Sequence, residues 1–247
     1  MPATFRHLDD VQQACSHCSL AHLCLPYGLG IGDVKRLETL VDAAKPIARG
    51  TELFVQGDKL TAIYAVDSGA MKTSMIDAEG LEQIMGFYYP GDLLGLDGMG
   101  DEVHHCTATA LEDGHICRIP FDQLDHLVDE VPGLRRQLMR LMSHALSDDE
   151  QLLLTLGRKS SEGRIATLLV SLSRRRLMRN LSASPVRLSM KRADLANFLG
   201  MRIETISRVL RRLQECEIIA IDRAVVSILD FPALEAWSAR GAWVADQ

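Results

Sequence analysis

LSMKRADLANFLGMRIETISRVLRRLQECEIIAI, residues 188–221, decides how the second half of this chain folds. Ala193, Leu195, Ala196 and Leu199 recur at helical spacing and stop at Gly200, and Ile203, Ile206, Val209, Leu210 and Leu213 then open a second amphipathic period. Helix, glycine turn, helix is the pattern of a helix-turn-helix. The strand-like runs IIAI (218–221) and VVSIL (225–229) flank the turn residues Asp222 and Arg223, which predicts a winged version. A recognition helix starting near Met201 carries Arg202, Glu204, Thr205, Ser207 and Arg208 in its first two turns, where side chains enter the major groove. Glu204, Ser207 and Arg208 are the expected base readers, because Arg donates twice to guanine, Glu accepts from an exocyclic amine and Ser does either. Lys191, Arg192, Arg211 and Arg212 are expected on phosphates, setting register and salt dependence without reading sequence.

Charge agrees with that division. The net charge is −6, yet residues 1–157 hold 11 Lys and Arg against 24 Asp and Glu, whereas residues 158–247 hold 16 against 9. An acidic body with a basic end suits a polyanion partner confined to one face.

Working toward the N-terminus, residues 133–158 place Leu and Met three and four apart, the mark of one long helix. Met139, Met142, Leu146, Asp149 and Leu153 follow at spacings of 3, 4, 3 and 4, a heptad seam able to pair with a second copy of itself. Leu134, Leu138, Leu141, Ala145 and Leu152 form a neighbouring stripe for intramolecular packing. Two copies of Asp149 in a symmetric pair would repel, which weakens the seam. Residues 159–173 continue as another helix, followed by a run, RRRLMRNLSASP, that reads as flexible and basic.

Between residues 45 and 120 the pattern is different. TELFVQGD, AIYAVDSG, AMKTSMIDAEG, LEQIMGFYYPGD, HHCTATALEDG and HICRIP are short apolar runs separated by Gly and Asp, the signature of a small β-barrel or jelly roll. Apolar residues make up 47% and charged residues 24%, as in ordinary globular chains. With no run long enough to span a membrane and no apolar secretion signal in MPATFRHLDD, the chain is expected in the cytoplasm, where cysteines serve metals or redox chemistry rather than disulfides. Cys15, Cys18 and Cys24 stand as C-x2-C-x5-C, three soft ligands that suit zinc, copper(I) or an iron–sulfur cluster. Spacing leaves the fourth ligand open among His17, His22, Cys106, Cys117 and Cys216, although Cys106 and Cys216 also read as small buried hydrophobes.

CSLAHLC (18–24), EQIMGFYYPGDLLGLDGM (82–99), CRIPF (117–121), RRQLMRLMS (135–143) and NFLGMRIETISRVL (197–210) together make the chain resemble the FNR branch of the CRP/FNR family of bacterial transcription regulators over nearly its whole length. The resemblance implies an α+β architecture: a cyclic-nucleotide-binding-like β jelly roll, a long dimerisation helix and a C-terminal winged helix-turn-helix. It divides the chain into a cysteine segment (1–30), a sensory barrel (31–131), a dimerisation helix (132–158) and a DNA-binding domain (159–247). It also implies an oxygen-labile [4Fe–4S] cluster on Cys15, Cys18, Cys24 and Cys117, a homodimer that forms while the cluster is intact, palindromic double-stranded operators with TTGAT-like half-sites, and contact with RNA polymerase through the loop at residues 77–82. A cyclic nucleotide is not expected, since residues 73–117 contain no Lys or Arg to hold a phosphate. The competing readings are a DNA-binding regulator using the cysteines as a thiol switch or zinc site, and an enzyme built around His104, His105 and Cys106. Neighbours on a strand face opposite ways, so that last run does not converge on a catalytic centre.

Overall fold

The computed structural model describes residues 15–241. The parts of the expected outer segments at 1–14 and 242–247, with the MPATFRHLDD stretch, lie outside the described residues.

A loop containing a 3-10 turn at Cys15–His17 leads into α1 (Ile31–Glu38). The barrel follows as β1 (Asp42–Ile47), β2 (Glu52–Phe54), β3 (Ala62–Ser68), β4 (Met71–Ile76), β5 (Glu82–Tyr88), β6 (Leu93–Leu94), β7 (Thr107–Ala110) and β8 (Gly114–Pro120). These strands form two four-stranded sheets, ordered β1-β8-β3-β6 and β2-β7-β4-β5, with antiparallel pairing throughout. Period-two alternation gives β8 two apolar faces: Ile116 joins Phe54, Val66, Met71 and Leu94 between the sheets, whereas Cys117 and Ile119 turn to the other side. There Leu25, Leu37, Ile63, Leu124, Leu134 and Leu138 form a second core, under α2 (Phe121–Glu130) and the start of α3 (Pro132–Arg158).

Pro132 opens α3 at the position where a missing N–H costs nothing. Leu134 and Leu138 are buried against the barrel and Leu141 half-buried; Ala145 is exposed and Leu152 half-buried, so the stripe packs near the two ends of α3 and not at its middle. Met139, Met142, Leu146 and Leu153 are all exposed, with Leu153 at 70%.

Next comes α4 (Ser161–Met178), capped by the Ser160 hydroxyl accepting from Gly163 N. It absorbs the first half of the run expected to be flexible. Arg174 pairs with Glu235 at 2.9 Å, and Arg175 with Asp92 at 2.5 Å and Asp148 at 3.0 Å, so the charges that looked free in sequence are neutralised by distant carboxylates. Cations in a last turn also suit the helix dipole.

The remainder is β9 (Val186–Arg187), α5 (Arg192–Phe198), α6 (Ile203–Glu215), β10 (Ile219–Asp222), β11 (Val225–Ile228) and α7 (Phe231–Ser238), with a β10-β11-β9 sheet. Ile165, Leu169, Leu195, Leu199, Ile206, Leu210 and Trp237 form its core. Ala70, Ile84, Phe87, Tyr89 and Leu111 of the barrel belong to that same buried cluster, so the two domains share one apolar core.

Candidate metal centre and nucleic-acid interface

Cys15, Cys18 and Cys24 lie on a loop folded back on itself by main-chain bonds, Cys18 N to Cys15 O at 3.4 Å and Cys24 N to Leu20 O at 3.1 Å. Cys117 reaches them from β8, where it pairs with Ala65 of β3. All four line one cavity of about 370 Å³, together with Leu37, Glu38, Ala65, Val66, Asp67 and Gly91. Histidine is absent from that lining, among the described residues. His17 meets the Ser16 hydroxyl at 3.0 Å, and His22 meets the Met178 carbonyl at 2.7 Å.

Burial pushes the Cys15 thiol up to about 11, helped by neighbouring Cys18 and Glu38. It pushes Cys24 and Cys117 up to about 12, with Cys15, Cys117 and Cys18 adding at Cys24 and Asp67, Cys15 and Cys18 adding at Cys117. Desolvation at these three thiols disfavours the thiolate, and a bound metal cation would supply the opposing charge. Among the described residues no three His, Cys, Asp or Glu side chains converge tightly enough for one ion. Four soft donors spaced around a roomy cavity fit a multi-iron group in chemistry and size.

Three supports of this loop escape sequence reasoning. Gln137, buried within the apolar stripe of α3, donates to the Cys24 carbonyl at 2.9 Å. Glu38 accepts from Ser16 N at 2.6 Å. Gly91, at φ +99, stands where a Cβ would lie 3.0 Å from Leu23 Cβ. Only Gln137 left a signal, as an amide flanked by core leucines.

In the basic domain Gly200 turns at φ +59 between α5 and α6, a conformation that favours glycine. Ile206, Val209, Leu210 and Leu213 are buried and leave Arg202, Glu204, Ser207, Arg208, Arg211 and Arg212 on the open face. The helix starts at Ile203, two residues after the expected point, with Arg202 as its N-cap. Arg211 pairs with Glu215 at 3.0 Å; Arg212 pairs with Glu162 at 2.9 Å and lies over Trp237. Lys191 is exposed, whereas one guanidinium nitrogen of Arg192 is buried without a hydrogen-bond partner among the described residues. Arg223 occupies the tip of the β10–β11 wing.

Comparison with known proteins agrees with both halves. Residues 44–131 match the family described as cyclic nucleotide-binding domain, and residues 163–237 the Crp-like helix-turn-helix domain. The chain is 48% identical over 219 residues to the transcriptional activator protein Anr of Pseudomonas protegens, covering 89% of this chain and 90% of that one. It is 40% identical over 222 residues to the fumarate and nitrate reduction regulatory protein of Salmonella typhi, covering 90% and 89%. The chain belongs to the FNR type of the CRP/FNR family. The structure of FixK2 from Bradyrhizobium japonicum superposes with a TM-score of 0.73 at 25% identity, over 81% of this chain and all of that one.

This FNR-type chain is therefore a DNA-binding transcription regulator and not an enzyme. Its His104 ring stacks on Phe54 at 3.7 Å inside the barrel, while His105 faces out to Asp101 at 3.1 Å; the two histidines diverge. Cys106 is buried, as expected, and its thiol donates to Asp97 at 3.3 Å. Cys216 is exposed, contrary to expectation, because it caps α6 where the helix ends at the surface. No helix among the described residues is long and apolar enough to cross a membrane.

Proposed function

We propose that this regulator senses oxygen through a [4Fe–4S] cluster held by Cys15, Cys18, Cys24 and Cys117, and that the sensed state governs dimerisation and operator binding in the cytoplasm. The observation that carries the reading is that these four thiols, from two segments about ninety residues apart in sequence, line one cavity. Bound there, the cluster would supply cationic irons that ionise the buried thiols and a core that oxygen destroys.

The protein's own residues give the site reach. Cys24 connects to α3 through Gln137, Leu23 rests on Gly91 beside Asp92, and His22 touches the end of α4. Cys24 and Cys117, holding a cluster between them, would join the cysteine loop to β8, and Gln137, by donating to the Cys24 carbonyl, links that loop to the first turns of α3. Farther along, the exposed seam of Met139, Met142, Leu146, Asp149 and Leu153 is the surface for a second copy, with Asp149 as its repulsive member. Pairing sets two recognition helices on a palindrome, Glu204, Ser207 and Arg208 reading TTGAT-like half-sites while Lys191, Arg192, Arg211 and Arg212 meet phosphates. A monomer offers one half-site's contacts and binds far more weakly.

The loop at residues 77–82 is the surface for RNA polymerase. Asp77 holds its shape by accepting from Glu79 N at 3.0 Å and Leu81 N at 2.8 Å, which leaves Leu81 projecting. The absence of Lys and Arg across residues 73–117 supports a barrel that serves no cyclic nucleotide.

The test is binding to a TTGAT-type palindrome with and without oxygen, beside the visible spectrum and the iron and sulfide content of anaerobically purified protein. Iron and sulfide near four each per chain with oxygen-sensitive binding support the reading. Colourless protein with one zinc per chain, binding equally in air, overturns it.

A further inference from the structure

β5 is the outer strand of its sheet, in the order β2-β7-β4-β5, so one side of it presents main-chain N–H and C=O groups with no neighbouring strand. Asn197 of α5 fills that vacancy with its side chain. Its Oδ1 accepts from Ile84 N at 2.6 Å and its Nδ2 donates to the Glu82 carbonyl at 2.7 Å, so one carboxamide does what a peptide unit of another strand would do. Gln83 Nε2 adds a bond to the Asn197 carbonyl at 3.1 Å.

Around this point the contact is both apolar and charged. Phe198 meets Phe87 edge to face at 4.9 Å. Lys72 of β4 lies 3.0 Å from Glu82 and 3.4 Å from Asp194, and Asp194 also accepts from Lys191 N at 2.9 Å, so one carboxylate both caps α5 and holds it to the barrel. A separate anchor stands elsewhere on the interface, where Glu112 takes Arg187 at 3.2 Å and the Ser189 hydroxyl at 3.1 Å. Two anchors resist rotation in a way that one does not.

We infer that Asn197 is a positioning residue that sets the orientation of the helix-turn-helix on the barrel, and through it the half-site spacing the dimer accepts. The inference rests on the palindrome reading above. Each recognition helix follows α5 across a single glycine turn, so a tilt of α5 on β5 moves α6 directly. Two recognition helices fit one face of DNA only when their separation matches the helical repeat, so rigidity at this joint becomes selectivity for spacer length. Without it, α5 keeps its apolar and ionic contacts to the barrel but its angle on β5 is less closely fixed, and a wider range of spacings becomes acceptable. Asn197 acts through the angle of α5 and not by contact with a base or phosphate.

The experiment uses the full-length, cluster-loaded protein with duplexes carrying two TTGAT half-sites at spacers varied one base pair at a time, and a duplex with a single half-site. Wild type is expected to prefer one spacer by about tenfold or more, a geometric selectivity. Asn197→Ala should flatten that preference to about threefold or less while leaving single half-site affinity and base discrimination unchanged. Lys72→Met, which removes the ion pair to Asp194 and spares the carboxamide, should flatten it partially; it also serves if Asn197→Ala folds poorly. Spacer selectivity undiminished in the folded variants overturns the inference. Wild type that binds a palindrome no better than a single half-site overturns the operator reading instead.

Discussion

Arg164, on α4, donates to the Leu199 carbonyl at 2.8 Å, tying α4 to the end of α5, the first helix of the DNA-binding motif. The same guanidinium donates to the Leu156 carbonyl at 2.6 Å, and its Nε to Lys159 O at 3.2 Å. Leu156 is in the last turn of α3, where carbonyls lack partners within their own helix, and this one side chain serves it, the Lys159 carbonyl and the turn before α6. Replacing Arg164 with Met should cost roughly 2–4 kcal/mol, since bonds from a charged donor to otherwise orphaned carbonyls are lost at once. Denaturant midpoints measure it, and a change below about 0.5 kcal/mol would show the contacts to be dispensable.

Gly91→Ala sets a methyl against Leu23 at a backbone angle that disfavours side chains, a strain of roughly 1–3 kcal/mol. Because Leu23 lies just before Cys24, the variant should retain less iron per chain than wild type after identical anaerobic reconstitution. Equal iron content with an unchanged melting temperature would exclude a coupling between this turn and the cysteine loop.

Asp149→Ala should raise the dimer fraction in air. Partial desolvation and adjacent Asp148 push the Asp149 carboxyl above the usual carboxylate range, and a second copy would bring another like charge to it. An association about tenfold tighter, about 1.4 kcal/mol, is expected by sedimentation across a concentration series. Identical curves for variant and wild type contradict the seam.

Arg208→Ala should relax discrimination at one base position in each half-site by about 1–3 kcal/mol. Arg212→Ala should lower the salt slope by about one and leave the base preference intact. Its ion pair with Glu162 must open before Arg212 can reach a phosphate. Equal losses on specific and random DNA for both variants would reject these assignments.

Glu82 beside Lys72 is held below the ordinary carboxylate value of 4.5 by that ammonium. A lowered folded value means the contribution is full above the unfolded value and is lost as pH falls through the folded one. The carboxylate is partly exposed, so the effect is small, under about 1 kcal/mol. Melting temperatures of wild type and Lys72→Met should differ at neutral pH and draw together as Glu82 protonates in acid; a constant gap excludes this carboxylate as the cause.

Residues 188–221 specify their own helices and turn because Gly200 and the 3.6-residue period of Ile203, Ile206, Val209 and Leu213 act over a few residues. The barrel's strands are legible for the same reason. The helical continuation through Arg174 and Arg175 is not, because the carboxylates that neutralise these arginines, Asp92, Asp148 and Glu235, are remote in sequence. Cys216 misleads because burial depends on where a helix ends relative to the surface.

By itself the sequence determined the helix-turn-helix, the barrel, the long helix with its exposed seam and three cysteines in a metal-ligand spacing, all local patterns of periodicity and residue chemistry. For Cys117, named with the other three only through the family resemblance, the strand register supplies the shared cavity; tertiary structure alone decided that Gln137 ties Cys24 to α3 and that Asn197 completes the edge of β5. Those relations depend on strand register and helix docking, which bring together groups that no short-range pattern connects.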